Sequence, residues 1–169
     1  APRVSGKGCG LLKDRSGGNH HRIQTSATAR GEMSRRVNLF TSTDNYMSAN
    51  WDKTRGSIVS ATEVAPDGTS TAAKFVEDTT ANADHSARGQ VVQVFAGGVY
   101  VQSVYLKPSG RNAVQFYETG GSGNIFSVNL ISRIVTVSAG SPTVLATDAG
   151  NGWTKITYVG TVVNTGATA

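Results

Sequence analysis

Cysteine is almost missing: Cys9 stands alone in 169 residues. No disulfide can form within the chain, so stability must come from packing, from a partner chain, or from both. Such sparing use of cysteine fits a reducing place of assembly. Charge is thin as well, at 16% of residues, and no long stretch sets Leu against Glu or Lys at helical spacing, so nothing calls for a helical fold. No apolar run approaches the roughly 18 residues a membrane-spanning helix needs, and the N-terminus lacks the apolar core of a signal peptide. The sequence names no cofactor. "GKGCG" has neither the spacing nor the strand-to-helix setting of a phosphate loop.

What is present is Gly, Ser, Thr, Ala and Val, with 20 glycines. That composition, in a chain long enough for one core, favours an all-β domain. The net charge of +5 is unevenly placed. Residues 1–36 hold eight basic side chains, Arg3, Lys7, Lys13, Arg15, Arg22, Arg30, Arg35 and Arg36, against Asp14 and Glu32, a net of +6. Residues 37–169 hold the other 8 basic residues and 9 acidic ones, a net of −1. Gly, Ser and Arg run through the first 36 residues without apolar periodicity, which reads as an extended, basic arm for attachment or linkage. Basic arms bind nucleic acid by releasing counterions, but the interleaved aromatics of a single-strand binder are absent, so a protein surface is the better partner.

From Val37 onward short apolar runs alternate with turn residues: "NLFTST" (38–43), "NYMSANWDKT" (45–54), "GSIVSATEVA" (56–65) and "AAKFVED" (72–78). Pro66-Asp67-Gly68 suits a type I turn launching the last of these. "GQVVQVF" (89–95), Ala96-Gly97-Gly98 and "VYVQSVYLKP" (99–108) read as a hairpin. "AVQFYET" (113–119), "NIFSVNL" (124–130), "RIVTVSA" (133–139), "TVLAT" (143–147) and "GWTKITYVGTVV" (152–163) complete roughly ten strands at sandwich spacing, which implies a jelly-roll β-sandwich over 37–169. Trp51, Trp153, Phe75, Phe95, Phe116 and Phe126 sit in strand patterns and are candidates for its core.

The order of several stretches resembles a family of β-sandwich modules in virion proteins of tailed bacteriophages and related gene-transfer particles. They are "LKDRSGGNHHRIQTSATARGEMSRRVNLFTSTDNYMSANW", "APDGTSTAAKFVED", "AGGVYVQSVYLKPSGRN", and "FSVNLISRIVTV" followed by "NGWTKIT". The sandwich is also similar to carbohydrate-binding modules of the jelly-roll type. The resemblance implies a head fibre, head spike or capsid decoration, less readily a tail fibre, located in the virion. Its partners would be capsid or tail subunits and further copies of the chain as a trimer, with host polysaccharide as an alternative ligand. It also implies a strand beyond the Trp153 strand, so the end at "NTGATA" reads as a truncated edge or one completed by a neighbouring chain.

Chemistry is sparse. Adjacent His20 and His21 point apart on an extended chain, and with Cys9 they lack zinc-ligand spacing. The acids lie mostly at predicted turns and strand ends, and no G-x-S-x-G elbow exists, so the chain reads as no enzyme. Asp67, Glu77 and Asp78 are the acids a loop-bound calcium would use. Sugar binding would need exposed rings beside amides and hydroxyls, for which Tyr46, Tyr105, Tyr117 and Tyr158 are the candidates. An exposed pair formed by Tyr105 and Tyr117 would favour it.

Overall fold

The computed structural model describes residues 11–13, 21–23, 38–40, 42–43, 45–118, 123–163 and 166–168. The chain divides into two compact units, Ala1–Asn38 and Leu39–Ala169. In the first, β1 (Leu11–Lys13) and β2 (His21–Ile23) pair antiparallel, with Leu12 opposite Arg22 and Lys13 opposite His21. The segment read as extended arm thus contains a short two-stranded ladder. The remaining arm cations, Arg3, Lys7, Arg15, Arg30, Arg35 and Arg36, lie outside the described residues.

The second unit is all-β, with no helix among the described residues. Its strands are β3 (Asp52–Thr54), β4 (Gly56–Ser60), β5 (Ala73–Glu77), β6 (Ser86–Arg88), β7 (Val92–Val94), β8 (Val99–Leu106), β9 (Ala113–Tyr117), β10 (Ile125–Asn129), β11 (Val135–Ala139), β12 (Thr143–Asp148), β13 (Thr154–Thr161) and β14 (Gly166–Thr168). Two three-stranded antiparallel sheets, β11-β10-β9 and β12-β13-β8, enclose the core. Smaller pairs are β4 with β5, β3 with β6, and β14 with β7.

Alternation decides which side chains enter. Phe126, Val128 and Leu130 from the β10 segment meet Ile156 and Tyr158 from β13, with Val104, Leu106, Val114, Phe116 and Val144 packed around them. Phe116 and Phe126 stack with ring centroids 4.9 Å apart. Thr154, fully buried in this apolar setting, donates its hydroxyl to the Leu130 carbonyl at 2.8 Å. That bond satisfies a polar group that burial would otherwise penalise, and it ties one sheet to the other. The arrangement is that of a β-sandwich.

The Pro66 turn forms as expected: the Gly68 amide donates to the Ala65 carbonyl at 2.9 Å, and Gly68 takes φ +85°, a conformation that favours glycine. The Asp67 carboxylate accepts from the backbone and hydroxyl of Thr69. The Trp153 indole donates to the Val64 carbonyl at 3.0 Å, and Lys107 pairs with Glu63 at 2.6 Å, so the loop leading to the turn is fastened to the sandwich.

Three sequence expectations are corrected. Residues 38–40 and 42–43 are not strand. The Ala96-Gly97-Gly98 turn forms, with the Gly98 amide donating to the Phe95 carbonyl, yet β7 and β8 do not pair. Gly97 and Gly98 bond to Val162 instead, β8 runs beside β13 for eight residues, and β7 takes β14 as its partner, so the two strands flanking the turn belong to different sheets. Phe95, expected in the core, is 66% exposed because the strand alternation places Val94 inward. Beyond the Trp153 strand, β14 pairs antiparallel with β7, with Gly166 opposite Val94.

Candidate functional site

The four candidate tyrosines do not converge. Tyr46 is half-buried, its ring 4.8 Å from that of Trp51, whose indole donates to the Ser42 carbonyl. Tyr105, 41% exposed, stands on the outer face of β8 with the Lys155 ammonium 5.7 Å from its ring centroid. Tyr117, 63% exposed, stands on the outer face of β9. Val104 and Leu106 beside Tyr105, like Phe116 beside Tyr117, point into the shared core. The two exposed rings therefore emerge from opposite outer faces of the sandwich. They cannot form one stacking platform.

Tyr158 corrects the reading of it as a surface contact. It is 6% exposed and packs at 5.4 Å from Phe126. Its hydroxyl donates to a Glu118 carboxylate oxygen and accepts from the Asn124 side-chain amide at 2.8 Å. The same amide donates to Glu118 at 3.2 Å, and the Asn124 carbonyl oxygen accepts from the Ser141 backbone at 3.2 Å. A Cβ on Gly140 would meet that oxygen at 1.9 Å, and one on Gly160 would meet the Tyr158 hydroxyl at 2.0 Å, so both glycines leave room for the network. Neither Glu118 nor Asn124 stands out in the sequence. The only hint is a polar residue at each end of the gap between two apolar alternations.

Tyr117 has a different setting. The cross-strand register places Ile125 opposite Tyr117 and Ser127 opposite Gln115, all on one outward face. This face offers an aromatic ring, an amide and a hydroxyl without a charge, the combination that stacks on a sugar and bonds its hydroxyls.

The acids considered for calcium are held by separate partners. The Thr69 hydroxyl and amide lower the Asp67 pKa below its ordinary value. Arg111 lowers that of Glu77, through contacts of 2.7 to 3.2 Å to both carboxylate oxygens. The Thr80 backbone amide lowers that of Asp78, helped by His85 at 3.1 Å. Among the described residues no group of three His, Cys, Asp or Glu side chains is placed to hold a metal ion. Asp52 with Arg88 and Asp148 with Arg133 are further ion pairs, each at 2.9 Å. No helix among the described residues is long and apolar enough to cross a membrane.

No protein-family model, curated protein or solved structure matches this chain.

Proposed function

We propose that this protein is a non-enzymatic structural component of a tailed phage or phage-like particle, a head fibre, spike or capsid decoration, with residues 1–36 as the attachment arm and a jelly-roll sandwich projecting from it. The observation that carries the reading is the segregation of charge: +6 in residues 1–36 against −1 in the remainder. A basic segment poor in apolar residues can order along an acidic partner surface. In the sandwich Asp52, Glu63, Glu77, Asp78 and Asp148 each face a basic side chain at 2.6 to 3.1 Å, an arrangement suited to stability more than to proton transfer. The family resemblance supplies the virion setting and a trimeric homo-oligomer. Cryo-electron microscopy of the assembled particle tests it. Density for this chain with residues 1–36 lying against capsid or tail subunits is the expected result, and particles that lack the chain would sink the reading.

A second reading, glycan binding, is favoured by the uncharged outer face that carries Tyr117, Gln115 and Ser127. It centres on Tyr117 alone. A glycan array probed with the wild type and with Tyr117→Ala tests it: binding lost in the variant supports the reading, and no binding by the wild type removes it.

A further inference from the structure

The opposite outer face, that of β12-β13-β8, is built differently. Alternation sends Thr154, Ile156, Tyr158 and Gly160 inward on β13, leaving Lys155, Thr157, Val159 and Thr161 outward. The ladders align the outward residues in four rows: Val99 beside Thr161; Val101, Val159 and Thr143; Ser103, Thr157 and Leu145; Tyr105, Lys155 and Thr147. Val99 and Val101 are each 65% exposed and Leu145 59%. Lys155 is the only charged side chain among these residues, and it lies over the Tyr105 ring. β8, one of the two edges of this sheet, has no Lys, Arg, Asp, Glu, Pro or Gly in its eight residues. Charge, proline and bulges are the usual means of keeping other chains off an edge.

We propose that this face docks on the same face of a second copy of the chain. The chemistry selects the occupant. A phosphate-bearing or acidic partner would need cations, and here there is one. A glycan would need side-chain amides or carboxylates beside a free ring, and this face has none, while the lysine occupies its one tyrosine. What fits is an uncharged aliphatic and threonine surface, which the face itself supplies.

The single charge does not oppose this. Lys155 lies in the row with Tyr105, at the end of the sheet away from Val99. Antiparallel packing of two such faces therefore sets each lysine against the other copy's Val99 end, about 20 Å from its counterpart and beyond the screening length of roughly 8 Å. Eleven outward side chains are about half the 20 to 30 per partner of a standard interface, so the contact depends on concentration, with dissociation in the micromolar range or weaker. The contact is two-fold. It is separate from the trimer that the resemblance implies and does not depend on a virion location.

Sedimentation equilibrium of the full-length chain, from micromolar to near-millimolar concentration, tests the contact on the wild type, Val101→Lys, Leu145→Lys and Ser127→Lys. Ser127 lies outward on the other sheet and serves as the control. Both substituted positions of the proposed contact are exposed, and circular dichroism checks that each variant folds. The expected result is a wild-type mass at high concentration twice that of Val101→Lys and Leu145→Lys, with Ser127→Lys matching the wild type. If the wild type and both contact variants have the same mass at every concentration, whether all monomeric or all larger, the proposal is overturned. Particles without the chain would sink the virion reading and leave this result untouched.

Discussion

Tyr158 joins Glu118 and Asn124 through one hydroxyl inside the sandwich. Tyr158→Phe keeps the ring's packing on Phe126 and leaves the carboxylate and the amide each short of a partner. Losing a buried hydrogen-bond partner costs about 1–3 kcal/mol, and urea denaturation should show that loss without a change in the slope of the transition. The pattern of residues 152–163 shows that a strand is there, but both of its faces carry apolar and hydroxyl side chains. Whether Tyr158 faces inward or outward is decided by its neighbours on β8 and β12, which no local pattern names. Asp67, Glu77 and Asp78 give a second prediction at this scale. Each carboxyl is held below its ordinary pKa by a partner in the fold, so its contribution to stability is present above the unfolded-state value near pH 4 and is lost as pH falls through the lowered folded value. Carboxyl titrations followed by NMR should give all three midpoints below those of the unfolded chain, and Arg111→Gln should return Glu77, and not Asp67, toward its ordinary value.

At the scale of the element, the loop before β5 depends on one distant side chain. "APDG" was readable as a turn because Pro, Asp and Gly each have a local reason to stand where they do. Its fastening by the Trp153 indole to Val64, 89 residues away in sequence, was not readable. Trp153→Phe removes that donor while keeping an aromatic ring. Hydrogen exchange at the Ala65 and Gly68 amides should then quicken about ten-fold, the equivalent of roughly 1.4 kcal/mol, while β10 and β13 stay protected. Equal protection in the loop of both proteins would mean that the indole does not hold it. The hairpin read across residues 89–108 fails for a related reason. The two glycines make the turn, but the choice of partner for β8 rests on an eight-residue ladder with β13 about fifty residues later. β4 meets β5 with less room to spare: a Cβ at Gly56 would lie 2.5 Å from the Phe75 ring and 2.8 Å from the Val76 carbonyl oxygen. Gly56→Ala should therefore destabilise the unit by about 1–3 kcal/mol through overpacking, and a stability equal to that of the wild type would show that the pair can shift to admit a methyl group.

For the whole molecule, charge segregation makes the proposed attachment separable from the fold. If the arm's cations hold this chain to a particle, the bond is electrostatic and exposed, and salt should weaken it steeply through screening. The sandwich rests on buried apolar packing and backbone ladders, which salt at the same concentration leaves in place. Raising salt from about 0.1 M to about 1 M, a change of the screening length from roughly 10 Å to 3 Å, should thus release the chain from particles with its β circular dichroism unchanged. Replacing Arg30, Arg35 and Arg36 with Gln should lower the salt concentration at which half of it is released. Release that needs denaturant and is indifferent to salt would assign the attachment to apolar contacts, and the basic arm would then have no part in it.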